Sequence, residues 1–237
     1  ISDLTDDVWY RGSTDCNDLL PSAYRKDVDE LSATISFTQM VRSMTDTRDL
    51  NAWDYYCLAR HHAIPTRLLD WTEGFIQALF FAFDGWDGMT KPCIWMLRPH
   101  LLNKESINDD SIIAPWGTRN LSKRAVDMWL PPIETKTATV KENVWSNKHP
   151  LAIYPSRSNP RVIGQLGTFT VHGFDKSSLN EFIRSRPNSD LIMARIDLVG
   201  FDPQETQRKL WYLGLRQGVI YPDPDHIVKD IRYSHNW

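Results

Sequence analysis

Residues Arg60 to Thr72 read RHHAIPTRLLDWT, and the order of elements around this stretch decides the fold. It holds two adjacent histidines, a proline, two arginines, an aspartate, a tryptophan and two threonines, more chemistry than a junction between two apolar helices needs. Upstream, Leu50, Trp53, Cys57 and His61 recur at three- and four-residue spacing, so they share one helix face, with Asp46 or Thr47 placed to cap its start. His62 then faces elsewhere. Pro65 disfavours the helical region for Ile64, so the helix is expected to stop near Ala63 and Thr66 to Leu69 to run extended. Downstream, Phe75, Ile76, Leu79, Phe80 and Phe83 mark a second amphipathic helix, with Thr72 or Asp70 as N-cap. On that reading Asp70, Trp71 and Thr72 stand at a helix N-terminus, where backbone N–H groups and the helix dipole suit an anionic phosphate. The plainer reading gives Asp70 and Thr72 to capping alone.

The chain has 237 residues, which suits one sizeable core with an insertion better than two domains. Its 41% hydrophobic and 24% charged content is that of a soluble globular protein. Ten tryptophans are many for this length, and most are expected in the core, the rest in pockets or interfaces. A net charge of −3 argues against an extended nucleic-acid footprint. Two local basic stretches, Arg119 to Arg124 and Arg157 to Arg161, keep RNA or DNA open, although such a stretch is more often a solvated loop. Cys16, Cys57 and Cys93 are odd in number and lack zinc-type pair spacing, so no disulfide framework is expected and a reducing cytoplasm fits. The longest apolar stretch, Gly74 to Phe83, is about half of what a bilayer requires. Neither a membrane span nor a signal peptide is expected. A start at Ile1 rather than methionine suggests that a few residues precede it in the natural chain.

Val8 to Gly12 reads as a strand, Leu31 to Met44 as a helix, and the continuous apolar run Cys93 to Leu97 as a buried strand. Residues from His100 to about Pro160 are the least regular, rich in Asn, Ser, Pro and Lys, with a short helix near Ser122 to Leu130. They read as an insertion, lid or partner-binding surface. In Val162 to Val171, Ile163, Gln165, Phe169 and Val171 alternate onto one side, making Gln165 the polar member of an apolar strand face, with Gly164 and Gly167 allowing close backbone approach. Leu191 to Ile196 is another strand. Asp202, Pro203 and Glu205 start a helix expected to reach Gln217 and stop at Gly218, before Val219 to Tyr221 and a turn at Pro222 to Asp225. Alternating strands and helices give a single α+β domain, without internal repeats.

Three of these stretches together resemble the FRG domain family. They are Tyr10-Arg11-Gly12, which matches the aromatic-Arg-Gly motif that names the family, His61 to Thr72 with Ala78 to Ala82 behind it, and Asn159 to Phe169. The resemblance spans about Val8 to the Tyr221-Pro222-Asp223 turn, which makes the chain a single FRG domain. A weaker resemblance links it to arginine-type ADP-ribosyltransferases, and implies a mixed sheet flanked by helices with an irregular insertion. There an aromatic-Arg-Gly arginine holds the NAD phosphates and ribose, so the resemblance implies NAD binding by Tyr10, Arg11 and Gly12 and by Asp70, Trp71 and Thr72, to which the residues themselves add Arg67 as a candidate second phosphate ligand. It points to Arg11 and the Gln165 position for catalysis, and the chemistry of the residues adds His61. The third motif departs from that family, because Gln165 stands where a catalytic glutamate is expected. A glutamine can hydrogen-bond a ribose hydroxyl, but it cannot stabilise an oxocarbenium ion as a carboxylate does.

The chemistry can also be argued from the residues. Cleaving a nicotinamide–ribose bond needs a cationic anchor for the diphosphate, an aromatic face for the nicotinamide and a group that binds the ribose. Arg11 offers the first, Trp71 or Tyr10 the second, Gln165 or His61 the third, and His61 suits a general base. Each has a structural alternative: Arg11 as an ion-pair partner, His61 as a satisfied core histidine, Arg67 as a loop brace rather than a second phosphate ligand. The leading expectation is an NAD-dependent ADP-ribosyltransferase-like enzyme acting on a protein or nucleic acid, without a metal. By analogy with standalone transferases it is a bacterial toxin or anti-phage defence effector, with an antitoxin-like inhibitory partner. One alternative is a metal-dependent hydrolase or nuclease built from His61, Asp70, His172, Asp223, Asp225 and His226. The other is a non-catalytic nucleotide-binding or interaction module, which the missing glutamate favours.

Overall fold

The computed structural model describes residues 7–44, 49–115, 126–131, 147–156 and 160–235. Its strands are β1 (Trp9–Ser13), β2 (Leu68–Thr72), β3 (Cys93–Leu97), β4 (Leu151–Ile153), β5 (Gly167–Val171) and β6 (Met193–Asp197). They form one sheet in the order β4-β5-β2-β1-β3-β6. Every ladder is antiparallel, and the one parallel pairing among the described residues is the isolated bridge Ile113↔Ile153. The helices are α1 (Ser22–Arg25), α2 (Glu30–Met44), α3 (Ala52–His61), α4 (Phe75–Phe83), α5 (Pro99–Ile107), α6 (Pro160–Gly164), α7 (Leu179–Arg184), α8 (Ser189–Ile192), α9 (Pro203–Tyr212), α10 (Gln217–Ile220) and α11 (Pro224–His235). The α+β class expected from the alternation of elements holds.

Side-chain alternation sends the inner strands to two cores, one on each sheet face. Trp9, Leu69, Trp71, Trp95 and Leu97 face one side, where α5, α7 and α8 close over them with Leu102, Leu179, Phe182 and Ile192. Leu68, Phe169, Val171, Leu151 and Ile153 face the other, under Trp53 and Tyr56 of α3 and under Trp129. On that same side Ile94 packs under Ala78, Phe80 and Ala82 of α4. Of the tryptophans among the described residues, Trp9, Trp53, Trp71, Trp95 and Trp129 are buried, and Trp86 and Trp211 are half-buried.

Several boundaries differ from expectation. Asp46 and Thr47 lie outside the described residues, and α3 is capped by Asn51, whose side chain accepts from the backbone N–H groups of Trp53 and Asp54 while Asp54 caps back. The helix ends as expected, with Ala63 in the left-handed region at φ 60°. Asp70, Trp71 and Thr72 then belong to strand β2, and α4 begins after Gly74. Full pairing of β2 with β5 outweighs their capping tendency. Thr72 retains a local role, since its hydroxyl accepts from the Gly74 N–H at 3.0 Å. Pro160 opens helix α6 where a strand was expected, so Gln165 falls in a turn before β5, beside Leu166 at φ 47°. Leu191 and Ile192 end α8 rather than starting β6.

The helix opened by Asp202-Pro203 stops at Tyr212. Gly214, at φ 80°, closes it in a Schellman motif, with Gly214 N–H bonded to Trp211 O and Leu215 N–H to Leu210 O. The expected turn at Pro222 to Asp225 is the start of α11, whose first turn is capped by Asp223 through the His226 N–H at 3.0 Å. Within the expected insertion, α5 and β4 contribute Leu102, Ile107, Leu151 and Ile153 to the cores. Part of the expected helix at Ser122 to Leu130 lies outside the described residues, and Asp127–Trp129 is a single 3₁₀ turn. The stretch Arg119 to Arg124 also lies outside them, and of Arg157 to Arg161 only Pro160 and Arg161 are described.

The cysteine reading needs correction: Cys16 and Cys93 form a disulfide that ties the segment after β1 to the start of β3, leaving Cys57 free. An odd cysteine count does not prevent two of three from meeting when the sheet pairs Ser13 with Cys93. Among the described residues no helix is long and apolar enough to cross a membrane.

His172, just after β5, is buried, and its Nε2 has no hydrogen-bond partner. Burial, reinforced by nearby Arg67, pushes its imidazole down to about 3. The unfolded chain, with a histidine near 6.5, therefore binds a proton that the folded chain refuses. The stability this confers is fully present above about pH 6.5 and is lost as pH falls toward 3, at roughly 1.4 kcal/mol per pH unit. Urea unfolding at pH 7 and pH 5 should differ by about 2 kcal/mol from this group. The difference should vanish in His172→Asn; an unchanged pH slope in that variant would refute the assignment.

A candidate active cleft between two helices on one sheet face

Helices α3 and α4 sit side by side on the same sheet face, and the space between them is a cleft of about 710 Å³. Its floor lies where β1 and β2 part. These strands share one register pair, Tyr10↔Thr72. Beyond it the Arg11 guanidinium continues the connection, Nη1 donating to the Asp70 carbonyl oxygen and standing 3.7 Å from its carboxylate. Arg60 on α3 grips that carboxylate with two N–H groups, Nε at 3.1 Å from Oδ1 and Nη2 against Oδ2. Burial would raise the Asp70 carboxyl, but Arg60 and Arg11 together hold it below its ordinary value. Burial lowers Arg11, against the pull of Asp70. Asp70 is thus an ionised carboxylate whose side chain is still 45% exposed.

The spacing of α3 turns Asp54, Cys57, Leu58 and His61 toward the cleft. Asp54 is occupied twice, by the Asn51 backbone N–H at 3.0 Å and by the Ser156 hydroxyl at 2.6 Å. Burial, with Asp54 and Asp70 nearby, pushes the Cys57 thiol up to about 12, so it is a protonated thiol at neutral pH. Burial also lowers His61, helped by Arg161 and His62 and opposed by Asp223. His62 turns toward Phe37, ring to ring at 5.7 Å, as its place on the helix predicted.

The opposite wall comprises Phe81, Asp84 and Tyr221. The Tyr221 hydroxyl donates to Asp84 at 2.8 Å, and the Gln217 amide donates to the same carboxylate at 2.6 Å. Arg161 lies over the Tyr221 ring at 4.6 Å and His226 stacks on that ring at 4.5 Å. His226 is held by both oxygens of Asp223.

Of the residues singled out from the sequence, Tyr10, Arg11, Gly12, His61, Asp70, Trp71, Thr72 and Gln165 all line this cleft. Arg67 does not. Its guanidinium braces the fold, donating to Glu30 at 2.7 Å, to His172 O at 3.2 Å and to Trp129 O at 2.6 Å. The side chain of Trp71, although the residue borders the cleft, is buried in the core on the far sheet face with its indole N–H bonded to the Thr170 hydroxyl, which leaves Tyr10 as the aromatic face available in the motifs. Gly12 has a packing reason to be glycine: a Cβ there would lie 1.8 Å from Ala78 O and 2.6 Å from Ala82 N. Gln165 ties its turn to neighbours, donating from Nε2 to Ile220 O at 3.1 Å and accepting through its backbone oxygen from the Thr72 hydroxyl at 2.7 Å.

Sequence reasoning missed Arg60, Asp54, Asp84, Arg161 and Tyr221. Arg60 had a legible signal, standing three residues after Cys57 on the helix face already marked. Asp84 had none, because its carboxylate is fixed by Gln217 and Tyr221 from far along the chain. The six residues of the metal-site reading are not gathered. His172 lies beside Arg67 and Tyr24, and among the described residues no three His, Cys, Asp or Glu side chains could jointly hold a metal ion.

No curated protein and no solved structure matches the chain. The family model of the FRG domain matches residues 6–88. That segment contains β1, β2, α3 and α4, which carry the cleft floor with Tyr10-Arg11-Gly12 and both helical walls. Residues 6–88 are thus similar to the FRG domain, and the aromatic-Arg-Gly motif of that segment lies in the strand that floors the cleft.

Proposed function

We propose that the cleft binds NAD and that the protein is an ADP-ribosyltransferase-like enzyme modifying a protein or nucleic acid, as a toxin or defence effector held silent by an inhibitory partner. The observation that carries this reading is the convergence of Tyr10, Arg11, Asp70 and His61 on one cleft whose volume, about 710 Å³, is in the range of small-molecule and cofactor sites. Three arginines, Arg11, Arg60 and Arg161, share its lining with three aspartates, Asp54, Asp70 and Asp84. A ligand with a cationic ring and an anionic diphosphate suits such a lining better than a simple anion does.

In the reaction the C–N bond between nicotinamide and ribose breaks, nicotinamide leaves with the bond pair, and an acceptor nucleophile bonds to the ribose carbon. The acceptor's proton passes to His61, which its lowered pKa keeps neutral at pH 7. The carboxylate missing at Gln165 is supplied by Asp70, ionised and partly open to the cleft, which stabilises the oxocarbenium charge. Because His61 is lowered, turnover should persist to a more acid pH than an ordinary histidine permits, then fall as His61 protonates.

The test uses NAD labelled in its adenine and a bacterial lysate as acceptor source. Label should appear on a macromolecule with release of nicotinamide, and Asp70→Asn should lower the rate by about 100-fold or more. A second reading, a non-catalytic nucleotide-binding module, is favoured by the prior engagement of Arg11 with Asp70 and of the Gln165 amide with Ile220 O. Calorimetric NAD binding without label transfer would select it, and absence of both would remove NAD altogether. A cytoplasmic setting belongs to the same proposal, although the Cys16–Cys93 bond argues against it.

A further inference from the structure

Among the described residues the sheet has two edges. At one, β4 is three residues long and is flanked by the bridge between Ile113 and Ile153. At the other, β6 runs five residues, and its side chains from Ala194 to Asp197 are exposed. An edge strand offers a row of backbone donors and acceptors to any strand that fits it. We infer that β6 pairs with β6 of a second copy, antiparallel about a two-fold axis at Ile196, joining two six-stranded sheets into one. This inference is independent of the function proposed for the cleft.

The choice of partner and register rests on charge. Arg195 and Asp197 point to the same sheet face, bonded to each other at 2.8 Å, and Arg195 lies over the Trp95 ring at 5.5 Å. With the axis at Ile196, Arg195 faces the partner's Asp197 twice over. Moving the axis by one residue, to Arg195 or Asp197, opposes like charges instead, so one register is selected against its neighbours. The exposed apolar residues follow the same symmetry: Ile196 falls on the axis and Leu191 and Phe201 lie five residues to either side, while Val199 is set opposite the half-buried Met193. Charges on an edge ordinarily guard against pairing, but a guard works by opposing like charges or unmatched ones, and this pair is matched to itself.

Sedimentation equilibrium of the whole chain over a concentration series decides the matter. The unmodified protein should be a dimer. Arg195→Asp should weaken it by about tenfold or more, since both symmetric pairs turn repulsive. Asp197→Arg should do the same, and the double variant Arg195→Asp/Asp197→Arg should regain the dimer. Unchanged circular dichroism would show that each variant is folded. A monomer at every concentration overturns the inference, as does a dimer that neither single reversal weakens or a double variant that stays apart.

Discussion

Gly12→Ala should destabilise the protein by about 3 kcal/mol or more, among the larger effects a single methyl can have. The atoms that Cβ would strike are backbone, Ala78 O at 1.8 Å and Ala82 N at 2.6 Å, and neither can rotate aside as a side-chain end would. Relief requires α4 to lift from β1, and Ala78, Phe80, Ala82 and Phe83 anchor that helix in the core with Ile94. Ala78 and Ala82 stand one turn apart on the surface that Gly12 meets, so the three small residues form a single device for close strand–helix approach. Denaturant unfolding should show the midpoint falling with an unchanged slope. A loss below about 1 kcal/mol would mean that α4 shifts without resistance and that the glycine has another purpose.

Arg67→Met should cost about 3 to 5 kcal/mol, the range expected when one member of a buried ion pair is removed. Arg67 and Glu30 are 12% and 13% exposed at their side chains, and Glu30 already receives the Tyr56 hydroxyl and the Arg67 backbone N–H. Without the guanidinium the carboxylate loses its counter-charge, and the carbonyl oxygens of His172 and Trp129 lose donors. Adding Glu30→Gln should recover part of the loss, because the charge then disappears with its partner. Ligand affinity of the folded fraction should change by less than about twofold, since Arg67 is outside the cleft. A variant with intact stability and lost NAD binding would return Arg67 to the phosphate site.

The two roles considered for Arg67 could not be separated from sequence because they call for the same cation in the same loop. What separates them is Glu30, which is 37 residues away and reaches Arg67 through the packing of α2. Periodicity located α2, α3, α4, β1 and β3 because their signals are local. It placed Asp70 to Thr72 at a helix start because residues that cap well also sit in strands when a partner strand is present, and β5 lies almost a hundred residues on. For α11 the rule was at hand: Asp223-Pro224 repeats the Asp202-Pro203 start, and reading it as a turn overlooked the twelve-residue helix behind it. The cleft was legible as a set of motif residues, and eight of the nine named do meet there. The carboxylate was harder to read. Asp70 was in view throughout, yet its orientation depends on Arg60 and Arg11 from separate elements.

The strand order also bears on what kind of unit the FRG segment is. Residues 6–88 own β1 and β2, the two central strands, yet these share a single register pair. Their full-length ladders run outward, β1 to β3 and β2 to β5, both beyond residue 88. A fragment cut at that point would keep the signature and lose the ladders that hold it in shape. The recognisable segment is a keystone rather than a building block: it completes a sheet whose outer strands the remaining chain must bring.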